Sequence, residues 1–151
     1  MDEKEELLIW EPLKENTFCR RNNEMHLVKL SFEKDFILVF ENIISKEKYT
    51  FSYHSLEGRK SFITFRITDE LARPDIDGLI FEFFNKKEAS SLKFGPTFYK
   101  VYNSSFLKSY DDIYEIRKVL QPNAEHHLFV TSTFYIDVIS EVQPVVSKSS
   151  V

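Results

Sequence analysis

Short runs of alternating apolar and polar residues recur along the chain, the pattern of strands that bury one face and wet the other. In residues 25–32, Val28, Leu30 and Phe32 fall on one face and Leu27, Lys29 and Ser31 on the other. A polar turn at Glu33, Lys34 and Asp35 leads into residues 36–40, which are apolar on both faces, as an interior or doubly covered strand would be. Residues 49–54 set Tyr49, Phe51 and Tyr53 against Thr50, Ser52 and His54, and residues 57–60 carry a turn signal. Residues 61–67, 79–84, 98–102, 126–131 and 134–140 read as further strands, for a total of about seven to nine. Residues 2–10, with acids at their start, predict a short helix ended by Pro12, and residues 109–120 a second, stopped by Pro122. The Pro-containing acidic stretch 68–78 predicts a long exposed loop, residues 85–96 are polar and ambiguous, and residues 145–151 predict a frayed tail.

The pattern predicts a mainly β or α+β fold: a single domain, residues 1–151, with an antiparallel sheet folded as a sandwich or partly open barrel, plus one or two short helices. Composition agrees, since 15 Phe and 7 Tyr against 3 Gly supply a large aromatic core with few flexible hinges. With 42% apolar and 29% charged residues, the chain falls in the range of folded domains. Its net charge of -4, with basic residues scattered in pairs such as Arg20-Arg21, Lys86-Lys87 and Arg117-Lys118, argues against a nucleic-acid face, which needs clustered cations. Cys19 is the one cysteine, so no internal disulfide forms and a reducing compartment, the cytoplasm, is expected. The acidic start is unlike a signal peptide, and no apolar run reaches the roughly 18 residues that span a bilayer, so no membrane partner is expected.

Candidate chemistry is sparse, and no catalytic, metal or cofactor motif is complete. His126 and His127 are neighbours on a strand and point to opposite faces, so they cannot share an ion, and His26 and His54 stand apart. The run Asp75, Ile76, Asp77, Gly78 resembles part of a calcium loop, but Arg73 and Phe84 occupy positions that must supply oxygens. Asp137 and Glu141 read as solvent-face carboxylates, separated by roughly 13 Å along a strand, too far for a glycosidase pair. Three glycines leave no nucleophile elbow or phosphate loop, and Cys19 reads as a bystander thiol. What remains is an acidic loop, Asp69, Glu70, Asp75 and Asp77, next to Phe83 and Phe84. One of those two rings would face outward on a strand. Acids beside an exposed aromatic suit a docking surface for a basic protein.

The C-terminal block runs from His126, His127, Leu128, Phe129, Val130 and Thr131 to Tyr135, Ile136, Asp137, Val138, Ile139 and Ser140, and closes on Pro144. With the preceding segment from Val101 to Phe106, it resembles the end of small uncharacterised bacterial proteins, some of them like immunity proteins that neutralise a toxin. The resemblance covers about a third of the chain, departs from the Glu-Val pairing at Asp137, and carries no catalytic residues over. It implies a non-enzymatic inhibitor with a basic toxin as partner. The alternative reading is a β-barrel or sandwich that holds a small apolar ligand.

Overall fold

Alternation does build the fold. The structure, a computed structural model, describes residues 4–12, 24–55, 64–86, 97–113 and 117–149. Cys19, the pair Arg20-Arg21, the turn at 57–60, the start of the strand at 61–63 and most of the ambiguous stretch, 87–96, lie outside them. Among the described residues the chain forms nine strands: β1 (Glu6–Ile9), β2 (Met25–Phe32), β3 (Phe36–Asn42), β4 (Lys48–Tyr53), β5 (Thr64–Asp69), β6 (Phe98–Tyr102), β7 (Glu125–Val130), β8 (Phe134–Ser140) and β9 (Val145–Ser149). Three short helices accompany them: α1 (Pro74–Phe84), α2 (Ser105–Ile113) and α3 (Arg117–Leu120). None of these helices is long and apolar enough to cross a membrane.

The strands pair antiparallel into a five-stranded sheet, β1-β6-β7-β8-β5, and a four-stranded sheet, β2-β3-β4-β9. Both are open at their edges, so the fold is a mainly β, α+β sandwich and not a closed barrel. Phe36, Phe40, Tyr49, Phe51 and Tyr53 of the smaller sheet meet Phe98, Phe129, Ile136 and Val138 of the larger. The rings interlock: Phe40 stacks on Phe129 at 5.1 Å, and Phe51 lies tilted on Phe98 at 4.7 Å. Each such ring contributes about 1.5–3 kcal/mol by leaving water. The opposite face of the larger sheet carries Leu7, Tyr99, Leu128, Val130 and Tyr135, and α1 covers it with Ile76 and Phe83. Three layers result: small sheet, large sheet, helices.

Several local expectations change. Residues 6–9, expected in a helix, form edge strand β1, pairing Leu7 with Val101 and Leu8 with Lys100. The long loop expected over 68–78 and the strand over 79–84 are replaced by the end of β5, a 3-10 turn (Glu70–Ala72) and α1. Pro74 opens this helix with its fixed φ and missing N–H, and Asp75 and Asp77 favour its positive end. The tail expected from 145 is β9 over its described part, pairing with β4 and packing Val146 on the core. In β2, Val28 is an extra residue at a bulge between Leu27 and Lys29. The shift turns Leu27 and Leu30 together toward the core and leaves Val28 exposed. Where one helix was expected at 109–120, α2 begins earlier, at Ser105, and α3 covers Arg117–Leu120.

Candidate functional site

The predicted acids gather on the rim of α1. Asp69 is exposed and accepts the Leu71 N–H at 2.9 Å, capping the 3-10 turn. Half-buried Glu70 gives its backbone N–H to the Thr133 carbonyl. Asp75 takes two guanidinium donors of Arg73, at 3.0 Å each, and Arg73 holds its carboxyl below the usual range. Asp77 accepts the Tyr135 hydroxyl at 2.6 Å. The phenol is held above its ordinary range, first by burial and then by that bond.

The predicted aromatics point the other way. Phe83 is only 5% exposed and packs edge-on against Tyr99, while Phe84 is half-buried beside it. Neither is the outward ring expected of a strand, because a helix places Ile76, Leu79, Ile80 and Phe83 on one inward face. The solvent face instead carries Leu71, Pro74, Gly78 and Phe81 at spacings of three and four, with Leu71 88% and Phe81 69% exposed. Gly78 adds no side chain to this ridge, and a Cβ there would meet nothing within 4 Å. From 69 to 84 the ridge is flanked by five acids, Asp69, Glu70, Asp75, Asp77 and Glu82, against one cation, Arg73.

A second constellation lies beneath the helices. Asp137, expected on a solvent face, is 0% exposed and is the centre of a polar network. Its Oδ2 accepts Arg73 Nη1 at 2.6 Å and Arg66 Nε at 2.8 Å, and its Oδ1 meets His126 Nε2 at 2.7 Å. His126 Nδ1 lies 2.7 Å from Ser104 Oγ, which also accepts the Leu107 N–H at 3.0 Å and so caps α2. With the ring proton on Nε2, Ser104 donates to Nδ1, Nε2 donates to Asp137, and every member is satisfied. Burial raises the affinity of Asp137 for a proton, but the bonds from His126, Arg73 and Arg66 outweigh it and hold the carboxyl well below the ordinary range.

These are the residue types of a nucleophile, base and acid, brought together from distant parts of the chain, which the spacing did not reveal. Ser104 and His126 also line a cavity of about 470 Å³ that lies between α2, α3 and the larger sheet. Ser104 is 4% exposed, and its oxygen is engaged as both donor and acceptor. Asn103 places it there by adopting the left-handed region (φ 53) at the exit of β6, a conformation asparagine tolerates. The adjoining cavity of about 210 Å³ includes Arg66 and Arg73, and the Glu5 carboxylate already accepts the Ser105 N–H at the start of α2.

His127 faces the other way, as expected of a strand neighbour. It lies between the Tyr53 hydroxyl at 2.7 Å and Glu125 at 2.9 Å and stacks on Trp10. Burial lowers its pKa, with Glu125 opposing, whereas the His127 bond, against some burial, draws Glu125 down to about 2. His54, set apart in the sequence reading, meets Asp35 at 3.0 Å near the surface. Among the described residues no three His, Cys, Asp or Glu side chains converge as a metal set would.

Comparison with protein-family models, with curated proteins and with solved structures finds no match for the chain. The fold and the site define it by architecture: a two-sheet β sandwich with a helical outer layer that exposes an acid-flanked apolar ridge.

Proposed function

We propose that the chain is a non-enzymatic protein-binding domain of the immunity type, which docks on a basic bacterial toxin through the ridge formed by the 3-10 turn and α1. The observation that carries this reading is Phe81, a large ring 69% exposed on α1, in a segment from 69 to 84 that holds five acids and one cation. Aromatic anchors of this kind dominate binding energy, and the surrounding charge steers a partner of opposite sign. Asp69, Glu70, Asp75 and Asp77 keep the role the sequence suggested, while Phe81 and Leu71 take the place of Phe83 and Phe84. One cysteine and a net charge of -4 fit a cytoplasmic protein that binds neither nucleic acid nor membrane. The alternative, an apolar ligand held between the sheets, has less support, because stacked rings pack that interface.

Affinity capture from an extract of the source cells, on the immobilised chain at moderate salt, tests the proposal. The wild-type chain is expected to return one basic protein at near-equimolar ratio. Phe81→Glu should return at least about tenfold less while keeping stability within about 0.5 kcal/mol. Equal capture by both chains, or none by the wild type, contradicts it.

A further inference from the structure

The cavity of about 470 Å³, lined in part by Ser104 and His126, opens between α2, α3 and the ends of β1, β6 and β7. Its size falls in the range of small-molecule sites. Leu8, Val101, Leu107 and Ala124 give it apolar walls, and Lys108 and Lys118 stand at it with exposed side chains. Lys100 and Glu125 in the lining are committed to each other. Glu125 pairs with Lys100 at 3.1 Å and bonds His127 and Gln143, and Asp111 has an interaction of its own. Lys108 and Lys118 make no ion pair with any described residue.

From this arrangement we infer that the cavity binds a small amphipathic anion, an apolar body bearing one carboxylate or sulfonate. The body lies against Leu8, Leu107 and Ala124, and the head group meets the two lysines, whose flexible stems can bring their ammonium groups over the mouth. The walls accept aliphatic and aromatic bodies alike, and the charge at the rim selects the sign of the head group. The inference is independent of the docking role of α1, since no residue is shared between the two surfaces.

The single tryptophan offers a local reporter. Trp10 lies 5.7 Å, ring centroid to Nζ, from Lys100, which lines the cavity. The probe is 8-anilinonaphthalene-1-sulfonate, titrated into the full chain and read by energy transfer from Trp10. Saturable binding with one probe per chain is expected, displaced by decanoate and by 1-naphthoate but not by decyltrimethylammonium. Which of the two acids displaces at lower concentration distinguishes an aliphatic from an aromatic ligand. Ala124→Phe, which fills the cavity, should abolish the signal. The surface pair Lys108→Glu and Lys118→Glu, which does not disturb the core, should weaken decanoate at least about tenfold, the equivalent of about 1.4 kcal/mol. Unsaturable binding, displacement by the cation as readily as by the acids, or unchanged decanoate affinity in the lysine variant would overturn the inference.

Discussion

Asp137 shows what one buried charge demands of its surroundings. An ionised carboxylate removed from water is costly unless donors replace the lost hydration, and Arg66, Arg73 and His126 supply three. Asp137→Asn leaves the buried Arg73 guanidinium short of its counter-charge, so urea denaturation should show a loss of about 3–5 kcal/mol. Arg66→Gln removes a more exposed partner that also lies over the Phe106 ring, and should cost about 1 kcal/mol or less. Protons act on this network, and on the His127–Glu125 pair across the sheet, with a definite sign. The His127 pKa is lowered in the fold, so the unfolded chain binds that proton first; its contribution is present above about pH 6.5 and is lost as pH falls. Asp137 and Glu125 are also lowered, so their contribution is present above about pH 4 and is lost below it, toward about 2 for Glu125. Melting temperature against pH should therefore fall in two stages, and His127→Gln should flatten the first while leaving the second. A single acid transition in the wild type, or two unchanged stages in the variant, would contradict this assignment.

Strands whose burial alternates, and the continuous apolar runs of β7 and β8, are legible in the sequence, whereas β1, α1 and β9 are misread for identifiable reasons. In β3 and β4 the buried positions are Phe36, Leu38 and Phe40, then Tyr49, Phe51 and Tyr53, and the period of two is plain. Strand β1 is four residues long with one fully buried side chain, Leu7, too short a pattern to outweigh acids that suggest a helix start. Pairing with β6 decides it. In α1 the signals were present, with proline at the first position, acids in the first turn and Ile76, Ile80 and Phe83 at helical spacing. The paired phenylalanines and mid-helix Gly78 favoured a loop followed by a strand. The Ser104–His126–Asp137 chain was illegible because three different elements contribute it; only the opposite directions of His126 and His127 could be read. Strand β9 is a polar edge, kept from further pairing by lysine and anchored by Val146 and the Lys148–Glu47 ion pair at 2.9 Å. Ending the chain after Pro144 bares the edge of β4. The melt should show a loss of about 2 kcal/mol, and light scattering should rise as the edge associates. A truncated chain with the wild-type melt would contradict the role given to β9.

At the scale of the whole molecule, the larger sheet is the middle layer. Its inner face closes the sandwich through interlocked rings, and its outer face carries α1 and α2 and the buried network that fixes where they start. Arg73 precedes α1 and Ser104 precedes α2, and both reach Asp137, directly or through His126. The ridge is thus held on a scaffold tied to the centre of the sheet, which suits a surface that binds without reshaping. The acids of that surface were readable from composition, but its aromatic was not, because choosing Phe81 over Phe83 required knowing that the segment is a helix. Hydrogen–deuterium exchange on the captured complex, compared with the free chain, tests the docking claim most directly. The account predicts that protection on binding centres on residues 69–84. Protection confined to the four-stranded sheet or to the cavity beside α2, with 69–84 exchanging as in the free chain, would contradict it.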